Sequence, residues 1–143
     1  MNFRAIKSKF LSAFRHIFVY HHKSLEFRCK LFAAMIVANK NNDCAYEILY
    51  DLAKEIYKDD IRVEILLNTT KEYVNKILIH KAFTLDQLLI EIDRELKLNK
   101  RFKKKIEIDK LEKFLCDNDE KNYLTQKRIL EFLESEAKIK DQI

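Results

Sequence analysis

The segment TLDQLLIEIDREL, residues 84–96, decides the fold class. Leu85, Leu88, Leu89, Ile92 and Leu96 recur at i, i+3, i+4, i+7 and i+11. That is the period of one helix face, not the alternation of a strand. Thr84 stands just before the first of them and Gln87 three residues on, the capping-box signature of a helix start. The whole chain repeats the message by omission. Its 143 residues include no glycine and no proline, where ordinary usage is about 7% and about 5%. Glycine supplies the positive φ of hairpins and bulges, and proline punctuates strands and turns. Without either, tight β-hairpins are poorly served, while helices joined by Asn and Asp turns remain available. The same omission excludes glycine-loop phosphate motifs and the glycine-dependent nucleophile elbow. The expected fold is all-α: a single compact bundle of about six or seven helices forming one domain over residues 1–143.

Working outward, residues 3–19 read as a basic amphipathic helix within an N-terminal stretch 1–20. Phe3, Ile6, Phe10, Phe14, Ile17 and Phe18 form its apolar stripe. After the break at Tyr20–Lys23, Ser24 is the expected cap of a helix running to about Asn39, with Phe27, Leu31, Phe32, Met35 and Ile36 inward. The Asn-rich run 39–43 is the clearest loop, with Asn as the left-handed residue. Asp43 is expected to cap a helix to Tyr57, and residues 61–79 form the next. Residues 84–140 hold the C-terminal helices. Residues 97–108 are ambiguous, and Asp109 with Glu112 reads as a second capping box for a short helix through Leu115. The last helix spans about 120–138.

Net charge is +5, but it is unevenly spread. Residues 1–30 hold seven basic groups and one acid, so the remaining 113 residues net −1. No 18-residue apolar run exists, and the basic N-terminus has no continuous apolar core of a signal peptide. Cys29, Cys44 and Cys116 are odd in number and widely spaced, without zinc-ligand spacing. They read as buried thiols of a reducing compartment. The expected location is cytoplasmic, either free or peripheral to the inner face of a membrane.

The reactive residue types lack constellations. His21 and His22 are adjacent and point about 100° apart on a helix, so they do not pair on a metal as i, i+4 residues do. Glu47, Asp51 and Glu55 form an acidic stripe that reads as a solvated face. No catalytic residue, cofactor or metal is expected. The surface that carries information is basic: Arg4, Lys7, Lys9 and Arg15 beside Phe10 and Phe14, extended by Lys100, Arg101 and Lys103. Basic amphipathic helices bind acidic partners or anionic membrane surfaces, and basic residues among aromatics also suit nucleic acid.

The stretch LEFRCKLFAAMIVAN (25–39) followed by EILYDLAKEIY (47–57) resembles the TerB-like family of all-helical domains, over about residues 24–80. A relative of that family forms the N-terminal part of membrane-associated DnaJ-like co-chaperones. Typical members place an Asp-Gly where this chain has Asn39-Lys40, and their acidic residues there are thought to hold a divalent metal; Glu47 matches the downstream acid. The His-Pro-Asp signature of a J domain is missing, since the chain has no proline. The resemblance implies a non-enzymatic helical adaptor or accessory protein acting through protein–protein contacts, co-chaperone-related or part of a membrane-proximal assembly. The alternative is a nucleic-acid-binding helical module using the basic N-terminal region.

Overall fold

The first described helix, α1 (Lys23–Ala38), is apolar on nearly every face after Glu26, and a helix apolar all round is buried all round. Twelve of its sixteen residues are buried. The computed structural model describes residues 22–39, 43–116 and 119–138; the helix expected over 3–19 lies outside them. Five further α-helices follow: α2 (Ala45–Ile56), α3 (Asp60–Leu78), α4 (Leu85–Leu98), the single turn α5 (Ile108–Leu111) and α6 (Glu120–Lys138). Two 3₁₀ segments, Lys100–Lys105 and Glu112–Phe114, lie on either side of α5. No strand occurs among the described residues. The architecture is all-α, as the 3.6-residue periodicity requires.

The axis is α1. It packs on α3, α4, α5, α6 and the first 3₁₀ segment, whereas α2 reaches the core through α3 and the second 3₁₀ segment. Leu88, Ile92 and Leu96 of α4 are buried, and Leu85 and Leu89 flank them. Phe27 stacks on Phe102 with ring centroids 5.0 Å apart, and Phe32 meets Phe114 at 5.7 Å. Burying such rings is the main favourable term of the fold, about 1.5–3 kcal/mol for each large side chain.

The helix starts divide by how local their signal is. The Thr84–Gln87 capping box forms as expected, with Gln87 N donating to Thr84 Oγ1 at 3.1 Å and Thr84 N to Gln87 Oε1 at 2.9 Å. Asp59 caps α3 by accepting from Arg62 N at 3.0 Å, and Asp119 receives Asn122 N at 2.7 Å. Three expected caps are replaced. Helix α1 begins after His22, not Ser24, and α2 begins after Cys44, not Asp43. The Asp109–Glu112 box does not form, because α5 starts one residue before Asp109, after Glu107. The Asn-rich run expected to supply a left-handed residue lies outside the described residues at 40–42, and a different left-handed position appears. The α3–α4 turn places Lys81 at φ 55°, where no glycine or asparagine stands. That conformation costs a residue with a Cβ roughly 1–2 kcal/mol.

The cysteines require the largest correction. Cys44 and Cys116 form a disulfide across 72 residues of sequence, their Cα atoms 6.7 Å apart. Cys29 alone keeps a free, buried thiol, which donates to Leu66 O at 3.7 Å. The cysteines are therefore one disulfide and one buried thiol, not three buried thiols. Packing of α2 against the 3₁₀ segment Glu112–Phe114 brings together two residues whose spacing carried no such signal.

Candidate functional site

The run Lys100–Lys105 is five cations and one phenylalanine. Phe102 supplies the local logic: it is buried, and its ring lies on Phe27 of α1. A single ring thus fixes a turn of like charges against the start of the central helix. The cations around it have nowhere to go but outward. The result is a cleft of about 640 Å³ lined by His22, Lys23, Arg101, Lys104 and Lys105, with Ser24, Asn99 and Phe102 between them. No carboxylate lies among its described lining residues. Its volume is that of a small-ligand or peptide site, and its charge selects for anions.

Of the basic residues singled out in the sequence, Arg101 lines this cleft, while Lys100 and Lys103 sit on the same turn outside its lining. Arg4, Lys7, Lys9, Phe10, Phe14 and Arg15 lie outside the described residues. His22, Lys23, Lys104 and Lys105 are the additions. Lys104 and Lys105 belong to a visible charge run. His22 and Lys23 join it only because Phe27 and Phe102 stack, a contact no local pattern announces.

A second cleft, of about 610 Å³, opens further along α1, at Glu26 and Lys30. Lys30 of α1 is buried there, its side chain 8% exposed. Its Nζ lies 3.1 Å from Glu95, 3.4 Å from Glu91 and 3.9 Å from Glu26. The Tyr73 hydroxyl donates to Glu26 at 2.8 Å, and Lys30 also sits 5.8 Å from the Tyr73 ring centre. Burial raises the Glu95 carboxyl above its ordinary value, and Lys30 opposes that rise. Burial and the neighbouring Glu26 push the Tyr73 phenol far upward. Here the ammonium already occupies the space among the carboxylates, so their charge is paired from within, while Glu95 Oε2 accepts no well-aligned hydrogen bond.

The acidic stripe of α2 is solvated, as expected, with one exception. Glu55 receives Lys110 at 3.3 Å and Lys113 at 3.5 Å, and Lys110 holds its carboxyl below the usual range. Among the described residues no group of three His, Cys, Asp or Glu is arranged to hold a metal ion. None of the described helices is long and apolar enough to cross a membrane.

Compared with known protein families, curated proteins and solved structures, the chain matches none of them.

Proposed function

We propose that this chain is a non-enzymatic helical adaptor of TerB-like type, which docks an acidic protein surface against its basic end. One observation carries the reading: the cleft beside Phe102, with His22, Lys23, Arg101, Lys104 and Lys105 around it and no carboxylate in its described lining. The positive end continues in the sequence. Residue 21 is bonded to the cleft's own His22, and residues 1–21 hold Arg4, Lys7, Lys9 and Arg15 and no acid. Lys23, Arg101, Lys104 and Lys105 alone gather four cations around the cleft, so the rest of the chain nets only +1 against an overall +5. Charge concentrated in this way orients an encounter before any contact forms. The setting implied by the TerB-like resemblance is a co-chaperone-related or membrane-proximal assembly on the cytoplasmic side.

The test is binding of the full chain to a polyglutamate peptide, to single-stranded nucleic acid and to vesicles containing anionic lipid. Tight binding to the acidic peptide is expected, weakened about tenfold or more in the triple variant Arg101→Glu, Lys104→Glu, Lys105→Glu. A preference for nucleic acid, with log K falling steeply against log[salt], would replace the adaptor with the nucleic-acid module. A preference for vesicles, abolished when Phe10 and Phe14 are replaced by Ala, would replace it with a membrane-surface protein.

A further inference from the structure

The cleft beside Phe102 gathers Lys23, Arg101, Lys104 and Lys105 from two elements that meet only in the fold. Among the described residues, none of these four side chains has an ion-pair or hydrogen-bond partner. We infer that the cleft is a receptor for a phosphomonoester group, presented as phosphoserine on the acidic protein partner. The inference rests on the adaptor reading and deepens it by naming the acid that the cleft takes.

The fold keeps its own counter-ions away from this cleft. The first acid of the chain is Glu26, two residues beyond Ser24. It is committed to the second cleft, where it accepts from the Tyr73 hydroxyl at 2.8 Å and faces Lys30 at 3.9 Å. Glu107, two residues beyond Lys105, pairs with Arg28 at 3.5 Å and Lys110 at 3.0 Å. The nearest carboxylate in sequence on each side is therefore engaged elsewhere. Like charges lining one cavity repel, and the stacking of Phe102 on Phe27 holds them there nonetheless. An anion supplied from outside relieves that repulsion.

A single carboxylate matches this cleft poorly, because it brings one charge and two oxygens. A phosphomonoester brings a charge of about −1.5 to −2 at pH 7 and three strong acceptor oxygens. The phosphodiester of a nucleic acid carries only one charge. Both elements of the cleft offer donors for the extra oxygens. The planar fork of Arg101 suits two phosphate oxygens at once, and Lys104 and Lys105 on the same turn add point charges. Across from them in sequence, Lys23 N and Ser24 N open α1 and donate to no described residue. His22 gives the helix no side-chain cap. Free N–H groups at a helix start favour a dianion, and here they reinforce a cavity already lined by cations. The cleft, of about 640 Å³, has room for a phosphorylated side chain with a neighbouring residue.

The experiment measures binding of the full chain to three peptides of one acidic frame. Their central position holds serine, phosphoserine, or a pair of glutamates that matches the charge of phosphoserine. The phosphoserine peptide is expected to bind at least about tenfold tighter than its charge-matched counterpart. Arg101→Lys keeps the charge and removes the fork. It should shrink that preference to about twofold or less while polyglutamate binding stays within about twofold of wild type. Inorganic phosphate should displace the phosphopeptide where chloride at the same ionic strength does not. Four outcomes overturn the inference. The first is equal affinity for the phosphoserine and charge-matched peptides, which leaves the adaptor standing if polyglutamate still binds. The second is a preference that Arg101→Lys leaves unchanged. The third is displacement by chloride as effective as by phosphate, which makes the cleft a screened field without a site. The fourth is tighter binding to phosphatidic acid vesicles or single-stranded nucleic acid than to the phosphopeptide. If neither polyglutamate nor the phosphopeptide binds, the adaptor reading falls and the inference falls with it.

Discussion

Lys30 shows how one residue can decide whether a core is stable. Its side chain is 8% exposed and faces Glu95, Glu91 and Glu26 within 4 Å. Removing one partner of a buried ion network strands the others. Lys30→Ala is expected to cost about 3 kcal/mol at pH 7, read from the urea midpoint. The deficit has a definite pH dependence. A carboxyl raised above its unfolded value opposes folding when charged, so stability recovers as pH falls through the folded value towards the unfolded one. Glu95 is already raised by burial, and without Lys30 it rises further. The variant should regain part of its loss between pH 7 and pH 5; a deficit constant over that range would show that Lys30 contributes packing alone. Cys29 predicts the opposite limb. Its thiol moves from an ordinary 9.0 to about 12 on burial. A group raised this way contributes stability that is intact below pH 9 and lost between pH 9 and 12. Cys29→Ala should therefore flatten the alkaline decline by up to about 1.4 kcal/mol per pH unit, at a cost near 1 kcal/mol at neutral pH. Parallel profiles would mean the decline belongs to Tyr73 and other groups.

Among elements, the ones legible in the sequence were those whose signal is local. Thr84, Gln87 and the Leu85–Leu96 stripe specify α4 within thirteen residues, and the structure follows them. Asp109 and Glu112 offer the same pattern without the cap, because α5 starts one residue too early for Asp109 to cap it. The Lys100–Lys105 turn could not be assigned from its own residues, since like charges oppose a regular helix and only Phe102 has a place to be buried. Its conformation comes from Phe27, far off in the chain. For that reason Phe102→Ala is expected to cost about 3–4 kcal/mol and also to release the basic turn, lowering polyglutamate affinity without altering a single charge. A variant that is destabilised but binds normally would separate the turn's position from the cleft's function. The disulfide is the extreme case of a non-local feature, joining residues 72 apart. Reducing it should lower stability by about 2–4 kcal/mol, seen as a lower melting temperature in the same buffer with reductant. Unchanged melting would show that the oxidised and reduced chains are held equally well.

At the scale of the molecule, fold and function part company. A glycine-free, proline-free chain with repeated helical periodicity has little choice but to be helical, whereas its surface is free to carry any message. What the described surface carries is a concentration of charge: Lys23, Arg101, Lys104 and Lys105 around one cleft with no carboxylate in its described lining. The basic stretch Arg4 to Arg15 is plain in the sequence and lies outside the described residues. The cleft is assembled by folding, because Lys23 meets Arg101, Lys104 and Lys105 only after α1 and the basic turn have packed. Such an arrangement acts on encounter rates more than on stability. Arg101, Lys104 and Lys23 are exposed and Lys105 partly so, and exposed substitutions usually stay within about 0.5 kcal/mol each. Reversing Arg101, Lys104 and Lys105 to Glu should thus leave the urea midpoint nearly unchanged, and relief of like-charge repulsion would raise it slightly. Association with an acidic partner should slow by about an order of magnitude at low salt, with the difference from wild type shrinking as ionic strength reaches 0.5 M. Dissociation should change less, since charges at a rim steer encounter. If the variant associates as fast as wild type at every salt concentration, the basic end is a solvated surface and the adaptor's contact lies elsewhere.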